Sequence, residues 1–287
     1  MRKIISYVKK IINYNIWMMH YIFCKLKKEN VSRIPKCEKK ILICGNGPSA
    51  GRLDYLHYKS IGYSIMCVNF FAVFNKQQFF ELKPEFYCCI DDAIMSDRNS
   101  VYRQQRKAFF DTINSISWQM IFVCGAGDSP LINNQNIIIH RVNRNIYPGN
   151  LTNRVFKRYM KNKATCGFQN VIACALYYVI TAHAFEVLLT GIENNIHKEL
   201  IVDENNIVYR QCVHFYGEEK INLIDANEIK KGEIYKYFYF MYKTFYQYNI
   251  LAEYAKRSGV QVKNLTIDSF VDVFKKEKPE ELSYEKK

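Results

Sequence analysis

The sequence contains little proline, glycine or acidic charge, and its cysteines form no Cys-x-x-Cys pair. The 287 residues include 6 prolines and 12 glycines, too few for long disordered stretches, and 49% of them are hydrophobic. The 10 cysteines are scattered through apolar runs such as Tyr87-Cys88-Cys89-Ile90, where cysteine is typically a small buried hydrophobe in a reducing compartment. These features predict a compact cytoplasmic domain that needs neither disulfides nor a structural zinc.

Acidic residues number 27 against 41 lysines and arginines, which gives a formal net charge of +14. Part of this surplus lies in residues 1–40, where 11 basic residues stand against Glu29 and Glu38. Strong basicity favours anionic partners such as nucleic acid, anionic lipid or phosphorylated substrates. Elsewhere no arginine-rich stripe is interleaved with base-stacking aromatic residues, so nucleic acid is not an expected partner.

The stretch 11–24 is rich in isoleucine, methionine and aromatic residues and is flanked by lysines. It is too short to span a bilayer, contains Asn13, Asn15 and His20, and precedes no small-residue cleavage site. Basic amphipathic segments of this kind are typical of helices that lie on an anionic membrane surface. We therefore expect residues 1–38 to hold the protein peripherally on the inner membrane. The alternative is an ordinary N-terminal helix packed on the domain.

Short apolar runs that end in glycine or polar residues alternate with helical patterns along the rest of the chain. The predicted strands cover residues 40–44, 63–69, 85–90, 119–124, 136–140, 184–191 and 260–265. Helices are predicted over residues 168–183 and 234–256. This alternation predicts an α/β fold, with a Rossmann-like parallel sheet and helices on both faces. The polar stretch 194–232 is predicted to form a small lid subdomain.

The pattern divides the chain into five parts. They are a basic amphipathic membrane-surface segment (1–38), a nucleotide-sugar-binding Rossmann-like domain (39–193), a lid or acceptor segment (194–232), a C-terminal helix and strand that complete the core (233–275) and a charged tail (276–287). In the long helix, tyrosines recur at helical spacing at Tyr235, Tyr239, Tyr242 and Tyr246, which predicts core packing. The alternative is that hydroxyls at the edge of this stripe contact a glycan.

Glycine and polar residues follow several predicted strands, at the edge where ligands bind to an open parallel sheet. The polar strand ends are Gly45-Asn46-Gly47-Pro48-Ser49, Asn69, Asp91 with Asp92, and Gly191 with Glu193. Glycines in the first loop let the backbone approach a phosphate, and Ser49 is expected to cap a helix whose amino end faces that anion. The loop lacks the third glycine of the dinucleotide fingerprint and the lysine of a P-loop.

Five segments, in order along residues 39–270, resemble bacterial sialyltransferases of the Campylobacter lipooligosaccharide type. The segments are Lys40–Ser49, Met66–Phe71, Lys163–Gly167, Val187–Glu193 and Val213–Gly217. The first is similar to the family's opening strand and loop, and its Gly-Asn-Gly-Pro-Ser is the one specific motif among them. A broader group that shares Gly-x-Gly-Pro-Ser, including flagellin-modifying transferases and a pterin diphosphokinase, is also similar.

The resemblance implies an inverting, metal-independent glycosyltransferase without a cofactor. It would transfer sialic acid or a related acidic sugar from a CMP-activated donor to a surface glycan or glycolipid, such as lipooligosaccharide or capsule. The implied donor-binding residues are Gly45, Asn46, Gly47, Pro48, Ser49, Asn69, Asp92, Thr165, Cys166, Gly167, Gly191, Glu193 and Tyr216. Among these, Glu193 would contact the ribose, and Thr165 to Gly167 would line the donor sugar.

The chain departs from the family's pattern where the family has its catalytic groups. No tyrosine follows Glu193 closely, and Gly217-Glu218-Glu219 stands where the family has its histidine base. His214 is one predicted base, because a neutral imidazole accepts a proton near neutral pH. Asp91 is the other predicted base, and its pairing with Asp92 also suits a divalent metal.

Three other functions are compatible with the sequence. They are a nucleotide-binding diphosphokinase-like enzyme, a glycosyltransferase that uses a different nucleotide-sugar donor, and a non-catalytic scaffold at the membrane surface. The acceptor, the linkage and homo-oligomerisation stay open.

Overall fold

The computed structural model describes residues 12, 15, 19, 31, 33–96, 102–147, 150–214, 217–224 and 229–279, with residues 196, 212–214 and 217–219 described by their backbone alone. Most of the predicted membrane-surface segment and the last part of the charged tail lie outside these residues. The end of the first segment packs on the domain: Ile34 is buried, and the Cys37 N–H donates to the Ala182 carbonyl at 2.8 Å.

Two sheets form within the described residues. Their strands are β1 (Lys40–Cys44), β2 (Tyr63–Val68), β3 (Phe86–Cys88), β4 (Met120–Gly125), β5 (Ile137–Val142), β6 (Glu186–Thr190), β7 (Leu200–Val202), β8 (Val208–His214), β9 (Gly217–Asn222), β10 (Gln261–Asn264) and β11 (Lys275–Lys276). The main sheet is parallel and has the order β11-β10-β6-β1-β2-β3-β4-β5. The Rossmann-like parallel sheet expected from the sequence is therefore confirmed.

Helices connect these strands. They are α1 (Tyr55–Ser60), α2 (Phe71–Phe74), α3 (Lys76–Leu82), α4 (Asp92–Met95), α5 (Arg103–Asn114), α6 (Asn153–Tyr159), α7 (Val171–Thr181) and α8 (Ile234–Ser258), with short 3₁₀ helices at Pro48–Arg52 and Ile196–Lys198. The Asn170 side chain caps α7 by accepting from the Ala173 N–H at 2.9 Å. Gly259, at φ +72°, supplies the left-handed residue that ends α8.

Alternate residues of β1 face two separate layers of helices. Ile41 and Ile43 pack in one core cluster with α7 and α8, whereas Leu42 and Cys44 pack in a second cluster with α1 to α5. All four side chains are fully buried, which explains the continuous apolar run of this strand. Helices on both faces of the sheet are thereby confirmed.

The cysteines behave as small core residues. Of the eight whose side chains are described, seven are buried, Cys37 is half-buried, and all have free thiols. Burial raises the pKa of the thiols of Cys37, Cys67, Cys88 and Cys89, and it raises the pKa of Cys124 and Cys166 to about 12. The thiolate is the reactive form, so these cysteines are suited to packing rather than to chemistry.

The stretch predicted to be a lid contains a small antiparallel sheet of order β7-β8-β9. The sheet rests on α8 through a separate apolar cluster of Val208, Leu223, Ile229 and Tyr237. These strands do not alternate regularly between apolar and polar residues, since Leu200–Val202 is apolar throughout and Gly217–Asn222 contains Ile221 as its one large apolar side chain. The sequence predicted a polar lid segment here but not this sheet.

The prediction that the tyrosine stripe of α8 packs in the core is wrong for Tyr235, Tyr239 and Tyr242, whereas Tyr246 does pack against the core. Tyr235, Tyr239 and Tyr242 are 62%, 60% and 60% exposed, and Tyr246 is half-buried. The helix instead buries the opposite side, which includes Gln247, Tyr248, Leu251 and Tyr254. Aromatic residues occur on both sides of α8, so their periodicity could not identify the buried one.

No helix in the described part of the chain is long and apolar enough to cross a membrane.

Candidate ligand-binding site

The order in which strands are added to the main sheet reverses between β1 and β6. Strands β1 to β5 follow one another to one side, and the chain then returns through α6 and α7 to place β6 on the other side of β1. The loops that leave β1 and β6 therefore lie at the switch point of the carboxyl edge, where doubly wound sheets usually bind their ligands.

Glycines bring the loops after β1 and β6 into backbone contact. The Gly45 N–H donates to the Thr190 carbonyl at 2.8 Å, and the Gly47 N–H donates to the Gly191 carbonyl at 2.9 Å. A Cβ on Gly45 would lie 2.3 Å from the Gly191 oxygen, and Gly191 itself has φ +65°. Only glycine permits this approach and this conformation without strain.

The side chain of Glu193 lies directly over the first loop. Its Oε1 accepts a hydrogen bond from the Ser49 N–H at 2.6 Å, and a Cβ on Gly47 would lie 1.6 Å from its Oε2. The carboxylate thus takes the position at the amino end of the Pro48–Arg52 helix where we expected a phosphate. Ser49 does not cap this helix, because Gly47 occupies the cap position and the Ser49 Oγ donates to Thr266 Oγ1 at 3.4 Å.

The loop after β10 fixes the backbone of Glu193. The Phe270 N–H donates to the Glu193 carbonyl at 2.8 Å, and Ser269 Oγ donates to the Ile192 carbonyl at 2.6 Å. The Ile192 N–H donates to Thr266 Oγ1 at 3.2 Å. The carboxylate is therefore held in place before any ligand arrives.

A first cavity of about 220 Å³ opens beside this carboxylate. Its lining comprises Asn46, Gly47, Pro48, Asn170, Ile172, Gly191, Ile192, Glu193, Asn194, Asn195, Glu199, Arg210 and Tyr248. Two buried acceptor oxygens in this lining, Asn46 Oδ1 and Glu193 Oε2, have no hydrogen-bond partner among the described residues. Buried polar atoms are rarely left unpaired, so this pair of oxygens suits a ligand that donates hydrogen bonds.

The part of this lining that comes from the small sheet was not predicted from the sequence. Glu199 precedes β7, and burial raises the pKa of its carboxyl even though Arg210 acts to lower it; Glu193 raises it further. Arg210 Nη1 donates to the Tyr237 hydroxyl at 2.9 Å, which orients the guanidinium. Their signal in the sequence was weak, because a glutamate and an arginine in a polar stretch resemble an ordinary solvated surface.

A second cavity of about 360 Å³ lies at the ends of β3, β4 and β5. Its lining comprises Ile90, Asp92, Gly125, Arg144, Ile146, Thr165, Gly167 and Phe168. Arg144 is held by an ion pair with Asp128 at 2.5 Å. The two cavities are lined by neighbouring residues of one segment: residues 167 and 168 line the second cavity, and residues 170 and 172 line the first.

The predicted donor-binding residues are thus divided between two cavities. Asn46, Gly47, Pro48, Gly191 and Glu193 line the first cavity. Asp92, Thr165 and Gly167 line the second, and Cys166 between them is buried. Asn69 follows β2 at φ +44° with a buried Oδ1 that lacks a partner in the described structure.

The two bases predicted from the sequence are placed differently. Asp91 is exposed and caps α4, where its Oδ1 accepts from the Ala93 N–H at 2.9 Å. His214 ends β8 opposite Gly217, and its side chain lies outside the described atoms, as does Tyr216 entirely. The described residues contain no group of three histidine, cysteine or acidic side chains that could hold a metal ion.

Three comparisons with known proteins, against family models, curated proteins and solved structures, find no match for this chain. The fold and the cavities themselves define the class of protein: a Rossmann-like parallel α/β domain with a cavity at the switch point of its sheet.

Proposed function

We propose that the protein is a nucleotide-sugar-dependent glycosyltransferase. The observation that carries the proposal is the pair of unpartnered acceptors, Asn46 Oδ1 and Glu193 Oε2, in the cavity at the switch point. Ribose hydroxyls are the donors that such a pair accepts, and a carboxylate on the ribose is the usual arrangement in Rossmann-like sites. The resemblance to sialyltransferases supports CMP as the nucleotide and sialic acid or a related acidic sugar as the transferred group.

The phosphate is expected away from the helix amino end, because the Glu193 carboxylate already accepts from the Ser49 N–H there. Arg210 contributes a guanidinium to the same cavity, and arginine forms bidentate hydrogen bonds with phosphate oxygens. The donor sugar then extends toward the second cavity, where Arg144 suits an acidic substituent and Thr165 offers a hydroxyl.

We propose Glu199 as the base of an inverting transfer. The Glu199 carboxylate would take the proton of an acceptor hydroxyl while the oxygen of that hydroxyl attacks the anomeric carbon. The bond from that carbon to the phosphate oxygen breaks in the same step, and the nucleotide leaves with the electron pair. Glu199 lines the cavity and its raised pKa suits proton transfer, whereas Asp91 is engaged as a helix cap. His214 remains the competing prediction.

We further propose that the acceptor is a lipid-linked surface glycan and that residues 1–38 bring the enzyme to the inner leaflet. The basic and aromatic content of that segment supports this placement.

The first test is a thermal shift with nucleotides. A nucleotide at 100 times its Kd should raise the free energy of unfolding by about 2.7 kcal/mol. Glu193→Gln should weaken nucleotide binding roughly 10- to 100-fold, since a hydrogen bond to a charged group contributes about 1.5–3 kcal/mol. Asp111→Asn, which removes an exposed carboxylate of α5, is the matched control and should leave the shift unchanged.

The choice of nucleotides makes this test decisive. A shift with CMP or CDP supports the proposed donor. The absence of a shift with any pyrimidine nucleotide would remove the CMP-sugar hypothesis, and a shift with purine nucleotides alone would favour the diphosphokinase-like alternative.

The second test is transfer in the presence of EDTA. Activity is expected to persist, because the Arg210 guanidinium would stabilise the departing phosphate in place of a metal. Loss of activity in EDTA with recovery in manganese would contradict this prediction and would identify Asp91 and Asp92 as candidate ligands.

A further inference from the structure

We propose that the outward face of α8 docks on an anionic phospholipid surface. This tyrosine face consists of Tyr235, Phe238, Tyr239, Tyr242 and Tyr246. The first four side chains are 62%, 50%, 60% and 60% exposed. A contiguous exposed aromatic surface of this kind marks an interaction site, whereas single exposed apolar residues are scattered over the surface of most proteins.

The rings of the tyrosine face are ordered by one another. Tyr239 and Tyr242 stack with centroids 6.2 Å apart and planes 15° apart, and Tyr242 and Tyr246 stack at 5.8 Å and 10°. Each of these three stacked rings carries a hydroxyl at its tip, which distinguishes this face from an aliphatic protein-protein interface. Amphipathic rings of this type are enriched where a bilayer meets water.

Lysines accompany the rings. Residues 230–246 contain Lys230, Lys231, Lys236 and Lys243 against a single carboxylate, Glu233. Glu233 is paired with Lys236 at 2.7 Å, and Lys243 Nζ lies 5.1 Å from the centroid of the Tyr239 ring. Aromatic residues beside a cluster of lysines complement the anionic headgroups of a membrane.

The charge distribution also decides between occupants. A second copy of this chain would bring the same lysines against each other, and like charges across an interface oppose association. A neutral glycan would leave the lysines without a function. The anionic lipid surface satisfies both the rings and the cations.

Docking through the tyrosine face does not depend on the transferase activity or on residues 1–38. Its consequence for the transferase does rest on the proposed function. Tyr248, on the opposite side of α8, lines the first cavity, and a helix with its side chains is about 10–12 Å across. Docking through the tyrosine face would therefore hold that cavity close to the lipid headgroups.

The test is co-sedimentation of the full chain with vesicles. We expect binding to vesicles of equal parts phosphatidylglycerol and phosphatidylcholine, and little binding to phosphatidylcholine alone. The double variant Tyr239→Ser/Tyr242→Ser should lower the affinity for anionic vesicles about ten-fold or more, because it removes aromatic area that docking on the bilayer would bury. Phe185→Ser is the matched control, since Phe185 is 61% exposed just before β6, and it should bind as the wild type does.

A second variant covers the charges. Lys236→Gln/Lys243→Gln should weaken binding to anionic vesicles and leave the melting temperature unchanged. The proposal is overturned if the wild type does not bind anionic vesicles or if both double variants bind them as tightly as the wild type does. It is also overturned if Phe185→Ser loses as much affinity as Tyr239→Ser/Tyr242→Ser. If the Tyr239→Ser/Tyr242→Ser variant has a lower molar mass than the wild type by light scattering but binds vesicles equally well, the tyrosine face contacts a second copy instead.

Discussion

Glu199→Gln is expected to lower turnover about 10²- to 10⁴-fold, the usual contribution of a general base. Nucleotide affinity should stay unchanged, because the base acts on the acceptor in the transition state rather than on the bound donor. In the wild type, kcat/KM should rise with pH through the pKa of Glu199, since the base must be deprotonated. Burial raises that pKa, so the rise should lie above the usual range of a glutamate. The variant should lose this limb of the profile.

Parallel variants separate the three candidate bases. Glu199→Asp should recover part of the turnover, whereas His214→Gln and Asp91→Asn should each leave it near the wild-type value. If Glu199→Gln binds nucleotide and turns over normally, Glu199 is not the base, and the variant that loses turnover identifies the base. If no nucleotide binds to the wild type, the failure belongs to the proposed function rather than to this assignment.

Gly45→Ala should destabilise the fold by about 3 kcal/mol, at the upper end of the usual cost of overpacking. The added Cβ would lie 2.3 Å from the Gly191 carbonyl oxygen and 2.9 Å from that of Thr190. Both are backbone atoms at the end of a central strand, so relief would require breaking the hydrogen bond from the Gly45 N–H to the Thr190 carbonyl. Denaturant unfolding would measure the loss, which corresponds to a fall in melting temperature of roughly 6–12 °C.

Gly62→Ala is the matched control for Gly45→Ala. Gly62 has φ +94°, but a Cβ there would meet nothing within 4 Å. It should therefore cost only backbone strain, about 1 kcal/mol. Equal losses in the two variants would contradict the contact between the two loops as the cause.

The main sheet was predictable because its central strands are buried on both faces. The predicted strand of residues 40–44 is β1 residue for residue, and the predicted strand of residues 63–69 is one residue longer than β2. The strand ends Gly45 and Gly191 were also identified, because glycine after an apolar run is a local signal.

The chemistry of the site was less predictable because it depends on distant residues. Ser49 and Glu193 are 144 residues apart, and nothing near Ser49 indicates that a carboxylate will take the amino end of its helix. Glu199 and Arg210 enter the cavity because the small sheet packs on α8, which is a tertiary contact. The prediction for the tyrosines of α8 failed for a related reason, because periodicity defines a helical face but does not say whether that face points to the core or to solvent.

The reversal of strand order between β5 and β6 has a consequence for biosynthesis. The edge of β1 that pairs with β6 must wait until residues 186–190 have left the ribosome, although β1 itself ends at residue 44. Nascent chains therefore carry an unpaired apolar strand edge for most of synthesis, which exposes them to aggregation and slows folding. The loop that fixes Glu193 comes later still, at residues 266–270. The cavity is thus completed only when almost the entire chain has been made, and a ribosome-bound chain that stops before residue 266 should have no nucleotide affinity.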